Sequence, residues 1–214
     1  MKTLSLEQRL FAERAVTQYQ ADLRASTSAQ AHLALRGIGQ QAANTFRLGV
    51  VDSPLAGHEM FRDRLALPYL TPSGPIGFNF RCVRPHDCKE AGCPKYLKPA
   101  SQSNHLYNVA ALKANSEYIV VTEGEIDTIS WSMAGVPAVG LAGVETWEEH
   151  FSLALDDFPV IYVAGDGDKA GEGMTKRLVR VLENARPITY PRGSDANDLW
   201  RSGGADALRA LLPV

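Results

Sequence analysis

Strand-like and helix-like segments alternate along the second half of the chain. Segments with helical patterns separate short runs of β-branched and apolar residues, which lie within residues 118–122, 137–141, 159–164 and 187–190. Nearly continuous apolar strands that alternate with helices are typical of a buried parallel sheet covered by helices. The sequence therefore predicts an α/β fold for residues 115–200, with helices over 126–134, 146–155 and about 170–184.

The first part of the chain predicts a smaller, mixed α+β region. Residues 5–36 have helical spacing and end at a glycine, Gly37. Two apolar runs, 65–70 and 76–81, flank a turn that contains proline and glycine, which predicts a β-hairpin. We expect the boundary between the two regions after residue 114. The apolar residues that we place on one face of the first helix are Leu6, Leu10, Phe11 and Ala15.

The composition is that of a soluble, intracellular protein. Hydrophobic residues make up 45% of the chain and charged residues 21%, which are ordinary values for a globular protein. No apolar run approaches the roughly 18 residues of a membrane span. Charged residues occur within Met1–Glu7, so we expect no signal peptide.

The charge changes sign along the sequence. Residues 114–168 contain eleven aspartates and glutamates and no lysine or arginine, whereas residues 62–98 contain seven basic residues and three acidic ones. Such a division can offer one surface to phosphates and another to cations. The simpler alternative is two solvated faces of opposite charge.

Acidic residues follow three of the predicted strands. Parallel sheets bind ligands beyond the carboxyl ends of their strands, so we expect these side chains to converge. Clustered carboxylates repel one another unless a cation lies between them, and their oxygens suit Mg²⁺ or Mn²⁺. Glycines beside the acids would let a charged ligand approach the backbone. The residues are Glu123 and Asp127, Asp166 and Asp168, and Asp195 and Asp198.

Two simpler interpretations of these acids stay open. Asp166 and Asp168 can cap the helix that follows them, and Glu123 and Asp127 can form a solvated pair. An EF-hand is excluded, because Arg177 occupies the position that requires a glutamate. The chain contains no P-loop and no dinucleotide-binding glycine motif. Carboxylate-held metals without such a loop favour chemistry on phosphodiesters.

A cluster of cysteine and histidine residues follows the predicted hairpin. Three thiols and an imidazole can form a tetrahedral zinc site, although their spacing is not that of paired Cys-x₂-Cys motifs. The alternative is a polar loop with free cysteines. An odd number of cysteines argues against a disulfide framework. The four residues are Cys82, His86, Cys88 and Cys93.

The order of these motifs resembles a known family. Glu123-Gly-x-x-Asp127 followed by Asp166-x-Asp-x-Ala-Gly171 resembles the TOPRIM domain, which primases, topoisomerases and some nucleases share. The upstream segments resemble successive motifs of the bacterial primase catalytic core, and they lie at 61–68, 74–81, 94–97 and 105–108. The resemblance implies a TOPRIM, Rossmann-like parallel sheet in residues 115–214 and a basic α+β subdomain in residues 1–114. Asn197 departs from the bacterial pattern and is similar to phage primase–helicases.

The resemblance also implies roles for individual residues. Glu123, Asp166 and Asp168 match catalytic positions. The metal-binding positions match Glu123, Asp127, Asp166, Asp168, Asp195 and Asp198. Positions that hold nucleotide phosphates or the template match Arg62, Arg64, Arg81, Lys95 and Tyr96. We further expect Arg62 and Arg64 to alternate along one strand and so to share a face, with Arg81 at the end of the partner strand.

By this resemblance, the chain is a phage-type DNA primase that synthesises short RNA primers on single-stranded DNA by metal-dependent nucleotidyl transfer. The implied cofactor is Mg²⁺ or Mn²⁺, with one Zn²⁺ as a further candidate. The implied partners are single-stranded DNA, ribonucleoside triphosphates, and a replicative helicase or a separate zinc-domain protein, in the cytoplasm (the host's, if a phage encodes the chain). Two alternatives are a TOPRIM-type nuclease and a non-catalytic nucleic-acid-binding module.

Overall fold

The computed structural model describes residues 4–100 and 102–213. Residues 1–3 belong to the N-terminal segment in which we expected no signal peptide, and they lie outside the described residues. The chain divides into two compact units, the first ending at residue 103 and the second beginning at Asn104. This division precedes the expected one after residue 114, because the intervening segment packs in the second unit. Leu106 lies in that unit's core and Tyr107 forms a β-bridge with Gly140.

The first unit combines three helices with a four-stranded antiparallel sheet. The strands lie in the order β1-β2-β3-β4, so that each strand pairs with its neighbour in the sequence. The β2–β3 pair is the hairpin that the sequence predicts. A short 3₁₀ helix, Glu59–Phe61, precedes β2. The elements are α1 (Leu6–Ala25), α2 (Thr27–Leu35), α3 (Gln40–Thr45), β1 (Gly49–Val50), β2 (Arg64–Thr71), β3 (Gly74–Cys82) and β4 (Tyr96–Leu97).

Helix α1 packs on this sheet through a face that matches the predicted one only in part. Leu6 and Leu10 are 73% and 56% exposed, so the prediction was wrong for these two residues. The helix approaches the sheet so closely that a side chain at Gly49 would overlap the Cβ atom of Tyr19. The prediction was correct for Ala15, which is fully buried, and Phe11 packs against the same core. Small residues permit the close approach, and apolar spacing alone did not identify Ala12. The buried apolar residues of α1 are Ala12, Ala15, Val16, Tyr19 and Leu23.

The second unit has the parallel sheet that the sequence predicts. Its strands are β5 (Tyr118–Thr122), β6 (Ala138–Gly140), β7 (Val160–Ala164) and β8 (Ala185–Pro187), all parallel, in the order β6-β5-β7-β8. Alternate residues of one strand enter different apolar clusters: Ile119 and Val121 enter one, and Val120 the other. Because apolar clusters cover both faces, the strands are apolar along nearly their whole length. The helices are α4 (Glu125–Met133), α5 (Lys169–Val181) and α6 (Ala196–Arg209).

Three elements of this unit differ from the prediction. The helix expected over 146–155 is a shorter 3₁₀ helix, Glu149–Ala154. The last strand lies a few residues earlier than residues 187–190, because Ile188 and Tyr190 enter the core beyond the end of β8. Helix α6 was not predicted, and it is kinked at Gly204, whose φ is 62°. Among the described residues, none of the helices has both the length and the apolar character needed to cross a bilayer.

Candidate metal centre and nucleic-acid interface

Three predicted metal-binding carboxylates converge at the carboxyl edge of the parallel sheet. Asp127 lies in the first turn of α4, which follows β5. Asp166 lies two residues after the end of β7, and Asp195 caps α6 after β8. One oxygen atom from each side chain lies within 4.8 Å of the other two. Because β5, β7 and β8 are consecutive in the sheet order, the segments that follow them meet at one edge.

The structure gives the other three predicted carboxylates different surroundings. Oε2 of Glu123 accepts the backbone N–H of Asp166 at 3.3 Å, which places this side chain beside the three-aspartate cluster. Asp168 caps α5 and accepts the backbone N–H groups of Ala170 and Gly171, each at 2.9 Å. Asp198 lies 3.6 Å from Arg201. The cluster of converging oxygens thus comprises Asp127, Asp166 and Asp195, and Glu123 lies next to it.

Buried polar groups hold Asp127 in place. Its Oδ1 accepts the backbone N–H of Asn197 at 3.2 Å, and the side-chain amide of Asn197 donates to Ser130 at 3.0 Å. Asn197 is fully buried. Sequence reasoning noted Asn197 only as a departure from a family pattern and missed this role. The signal available in the sequence was the position of Asn197, two residues after Asp195, which caps α6.

The pKa of Tyr190 responds to the negative charge of this region. Its hydroxyl accepts a hydrogen bond from the Trp131 indole at 2.8 Å. Burial raises the pKa of Tyr190 well above its usual value, and the charge of Asp127 raises it further, with smaller contributions from Asp166 and Asp195. Tyr190 therefore stays neutral close to the carboxylates.

Three of the glycines beside the acids, Gly165, Gly167 and Gly171, have a different role from the one expected. We expected such glycines to leave room for a ligand, but at these three positions the room is taken by the protein's own backbone. A Cβ atom on Gly165 would lie 2.3 Å from the carbonyl oxygen of Gly171, and one on Gly167 would lie 2.3 Å from that of Pro191. A Cβ atom on Gly171 would lie 2.2 Å from the carbonyl oxygen of Asp166. Gly165 and Gly171 therefore let the turn after β7 pack against the start of α5, and Gly167 lets it pack against the segment that follows β8.

The donor set fits a divalent cation. Three carboxylates within 4.8 Å of one another repel strongly unless a cation shares them. Oxygen-only ligands suit Mg²⁺ and Mn²⁺ better than softer metals. The aspartates also lie at or before the N-terminal turns of α4, α5 and α6, where helix dipoles favour negative charge. Asp127, Asp166 and Asp195 are therefore the side chains best placed to hold a metal.

In the first unit, the predicted phosphate-binding residues lie on and around β2, β3 and β4. The expectation that Arg62 and Arg64 alternate along one strand was wrong, because Arg62 precedes β2 and follows the 3₁₀ helix. Asp63 between them has a φ of 63°, which interrupts extended structure. Arg62 donates to the carbonyl of Asp52 at 2.6 Å, and Arg64 donates to that of Pro94 at 2.8 Å.

Arg81 and Tyr96 are neighbours across the β3–β4 pair. The buried Arg81 donates to the Tyr96 hydroxyl, and its guanidinium carbon lies 5.1 Å from the centre of the Tyr96 ring. Lys95 directly precedes Tyr96 and is exposed. A cavity of about 490 Å³ lies beside Arg81 and Lys95; its basic lining residues are Arg36, Arg81, Arg84, Lys89 and Lys95, and its acidic one is Asp87. An excess of cations of this kind would suit phosphate groups.

The cysteines and the histidine predicted as a zinc site also converge in the first unit. Their donor atoms all lie within 4.8 Å of one another. The side chains are those of Cys82 at the end of β3, and His86, Cys88 and Cys93 in the loop that leads to β4. The same loop contributes Arg84, Lys89 and Lys95 to the basic cavity.

Known proteins resemble both units. Residues 120–200 match the family model described as Toprim-like. The Gene 57 protein of Mycobacterium phage D29 is 36% identical over 149 residues, which is 70% of this chain and 97% of that protein. A DNA primase of Pseudomonas putida is 32% identical over 172 residues, which is 72% of this chain and 25% of that protein. The chain belongs to the TOPRIM-domain DNA primases, as a phage-type member.

The primase resemblance extends to the three-dimensional structure. A structure of the DnaG primase catalytic domain bound to single-stranded DNA matches with a TM-score of 0.76 at 22% identity. The match covers 97% of this chain and 79% of that one. It shows that the primase core fold extends beyond the Toprim-like residues into the first unit. The chain spans about a quarter of the length of the Pseudomonas primase that it matches.

Proposed function

We propose that this primase-family chain synthesises short RNA primers on single-stranded DNA by metal-dependent nucleotidyl transfer. The observation that carries the proposal is the convergence of Asp127, Asp166 and Asp195 within 4.8 Å, from segments that follow three different strands. Family membership supports a primase, and a carboxylate-held divalent cation is the chemistry that phosphoryl transfer needs. The solved DnaG catalytic domain bound to single-stranded DNA supports the choice of template.

The acidic residues have separate parts in this mechanism. Asp127, Asp166 and Asp195 would hold the cation, and Asn197 keeps Asp127 oriented through its backbone N–H. When bound, Mg²⁺ or Mn²⁺ would stabilise charge on the attacking and leaving oxygens of the displacement. Glu123 lies beside the site and is our candidate to accept the proton of the attacking 3′-hydroxyl or to complete the ligand set. Asp168 caps α5, and Asp198 pairs with Arg201 in α6. Both would act by shaping the backbone around the site.

The basic residues of the first unit would bind the polyanions. Arg36, Arg81, Arg84, Lys89 and Lys95 line one cavity, and a guanidinium can grip a phosphate with two hydrogen bonds. Arg81 covers part of the Tyr96 ring and holds it in place. We propose that these side chains position the ribonucleoside triphosphate or the template backbone without reading its sequence.

The test is primer synthesis by the full chain and by matched aspartate variants. The purified protein is incubated with single-stranded DNA, labelled ribonucleotides, and Mg²⁺ or Mn²⁺. We expect oligoribonucleotides from the wild-type chain and at least a hundredfold less from Asp166→Asn, which keeps the side-chain shape but removes the charge. The control Asp157→Asn changes an exposed aspartate of the same unit and should leave synthesis unchanged.

The other possible products distinguish the alternatives. Cleavage of the DNA would indicate a nuclease, and binding without synthesis or cleavage would indicate a non-catalytic module. Both results would contradict the proposal. Asp166→Asn should bind a single-stranded oligonucleotide as tightly as the wild-type chain does. If this variant loses binding as well, the role of Asp166 in metal-dependent chemistry fails.

A further inference from the structure

The loop between β3 and β4 contains four side chains that share one centre. Nε2 of His86 lies 3.1 Å from Sγ of Cys93, 3.6 Å from Sγ of Cys82 and 3.7 Å from Sγ of Cys88. The sulfur atoms of Cys82 and Cys93 lie 3.8 Å apart. All three cysteines have free thiols and form no disulfide. Each donor atom is thus a near neighbour of the others.

These separations are those of a tetrahedral metal site. Zinc binds thiolate sulfur at about 2.3 Å and imidazole nitrogen at about 2.0–2.1 Å, so the edges of a tetrahedron with three sulfurs and one nitrogen are about 3.5–3.8 Å. Three of these four separations lie within this range, and the 3.1 Å one is about 0.4 Å shorter than a sulfur–nitrogen edge. A set of three soft thiolates and one imidazole favours Zn²⁺ over Mg²⁺ or Mn²⁺.

The loop is held mainly by exposed polar contacts. None of residues 83–95 is buried, so the segment has no apolar core. A few backbone hydrogen bonds shape it, such as those from Cys93 to Cys88 and from Ala91 to Asp87, each at 2.9 Å. The loop also has an ion pair between Arg84 and Asp63 and a hydrogen bond from Arg64 to the carbonyl of Pro94, both at exposed positions. Exposed contacts of this kind add little stability, so a metal shared by the four converging donors would be a stronger constraint on the loop.

We propose that Cys82, His86, Cys88 and Cys93 bind one Zn²⁺, which holds this loop in its folded form. The ion would thereby fix the cations that the loop contributes to the basic cavity, Arg84, Lys89 and Lys95. The inference is independent of the proposed function, because it depends only on donors within the first unit. The two proposed sites would then bind different metals. The first unit would bind zinc mainly through sulfur, and the second unit would bind Mg²⁺ or Mn²⁺ through oxygen.

The first test measures metal in the full chain, purified without a histidine tag after expression with added zinc. Elemental analysis should find one zinc per chain, and Co²⁺ exchanged into the site should give the visible absorption of a tetrahedral thiolate complex. His86→Ala and Cys88→Ser should lose the zinc and this absorption. A wild-type chain with no zinc and no cobalt spectrum would overturn the proposal.

Two matched variants separate ligation from a general effect on the loop. His86→Cys replaces one zinc ligand by another, so it should retain zinc where His86→Ala does not. Glu90→Gln changes an exposed loop residue that supplies no ligand and should also retain zinc. Zinc retained by His86→Ala and Cys88→Ser, or lost equally from all four variants, would contradict four-residue ligation.

The second test asks whether the metal holds the loop closed. Trypsin can cut the exposed Lys89–Glu90 bond only when the loop opens, and cleavage follows the population of the open form. Removal of zinc by a chelator, or the change His86→Ala, should speed this cleavage at least about tenfold. His86→Cys with zinc should be cut as slowly as the wild-type chain. Equal cleavage of zinc-loaded and zinc-free protein would show that the ion does not stabilise the loop.

Discussion

At the residue scale, two histidines of the first unit lie where protonation is unfavourable. Burial lowers the pKa of His32 to about 4, and the nearby charges of Arg81 and Arg36 lower it further. Burial also lowers the pKa of His58, against a smaller opposing effect of Glu59. His58 donates to or accepts from the Tyr19 hydroxyl at 2.9 Å and has four phenylalanine rings around it. Both side chains are therefore neutral in the folded protein near neutral pH.

These pKa shifts predict a loss of stability in mild acid. The unfolded chain binds a proton at His32 below its ordinary pKa of 6.5, whereas the folded chain does so only near 4, so folding weakens as the pH falls through this window. His32→Gln removes the titrating group. From about pH 7 to about pH 5, this variant should lose less unfolding free energy than the wild-type chain, by on the order of 1 kcal/mol after allowance for partial exposure.

Urea unfolding at the two pH values measures this difference. His150→Gln, which changes an exposed histidine of the second unit, serves as the control and should behave as the wild-type chain does. Identical pH dependence in His32→Gln and in the wild-type chain would show that His32 is not held neutral by its surroundings.

At the element scale, two glycines of α5 should respond oppositely to the same substitution. Alanine normally stabilises a helix interior by about 1 kcal/mol relative to glycine, and Gly173→Ala should do so because nothing lies within 4 Å of the added atom. Gly171→Ala should instead destabilise the protein by about 3 kcal/mol, because its Cβ atom would overlap the Asp166 backbone. Thermal unfolding of both variants checks the prediction. Two stabilising results would contradict the close packing of this turn.

The elements also show which parts of the fold can be predicted from sequence. Strands β5 and β7 are buried on both faces, so their β-branched runs were clear in the sequence. Helix α6 was not, because Gly203 and Gly204 interrupt its helical pattern and the backbone of Gly204 is not helical. The exposed Leu6 and Leu10 misled the assignment of a face to α1, because close packing on a sheet selects small side chains as well as large apolar ones.

The candidate site was predictable only in part for a related reason. Strand order and the acids after each strand placed the carboxylates at one edge of the sheet. The sequence did not distinguish Asp168 from Asp195, since both cap helices. Only Asp195 also brings an oxygen to the three-aspartate cluster. That difference depends on side-chain direction, which the residue type and its position do not determine.

At the scale of the whole molecule, the two units carry opposite charge. The first unit contains thirteen lysines and arginines against eight aspartates and glutamates, and the second contains nine against sixteen. The overall charge of −2 conceals this division. Nucleic acid should therefore bind mainly through the first unit, and binding should weaken as salt rises.

This charge division predicts a measurable salt dependence. For a single-stranded oligonucleotide, the logarithm of the affinity should fall linearly with the logarithm of the salt concentration. Lys95→Ala should make this slope shallower by about 0.7, the value for one phosphate contact. Lys176→Ala removes an exposed lysine of the second unit, which lies 3.5 Å from Glu172, and should leave the slope unchanged. Fluorescence anisotropy over a salt series measures both, and equal slopes for the two variants would contradict the assignment of Lys95.

The glycines of the turn after β7 have a consequence for comparing related proteins. Gly165, Gly167 and Gly171 are required by backbone contacts within the protein, whereas the convergence of Asp127, Asp166 and Asp195 would serve a bound cation. A descendant that lost its activity and kept its shape would retain the glycines and could lose the convergence of the acids. The glycines are thus markers of ancestry, and the intact set of acids is the marker of a working enzyme.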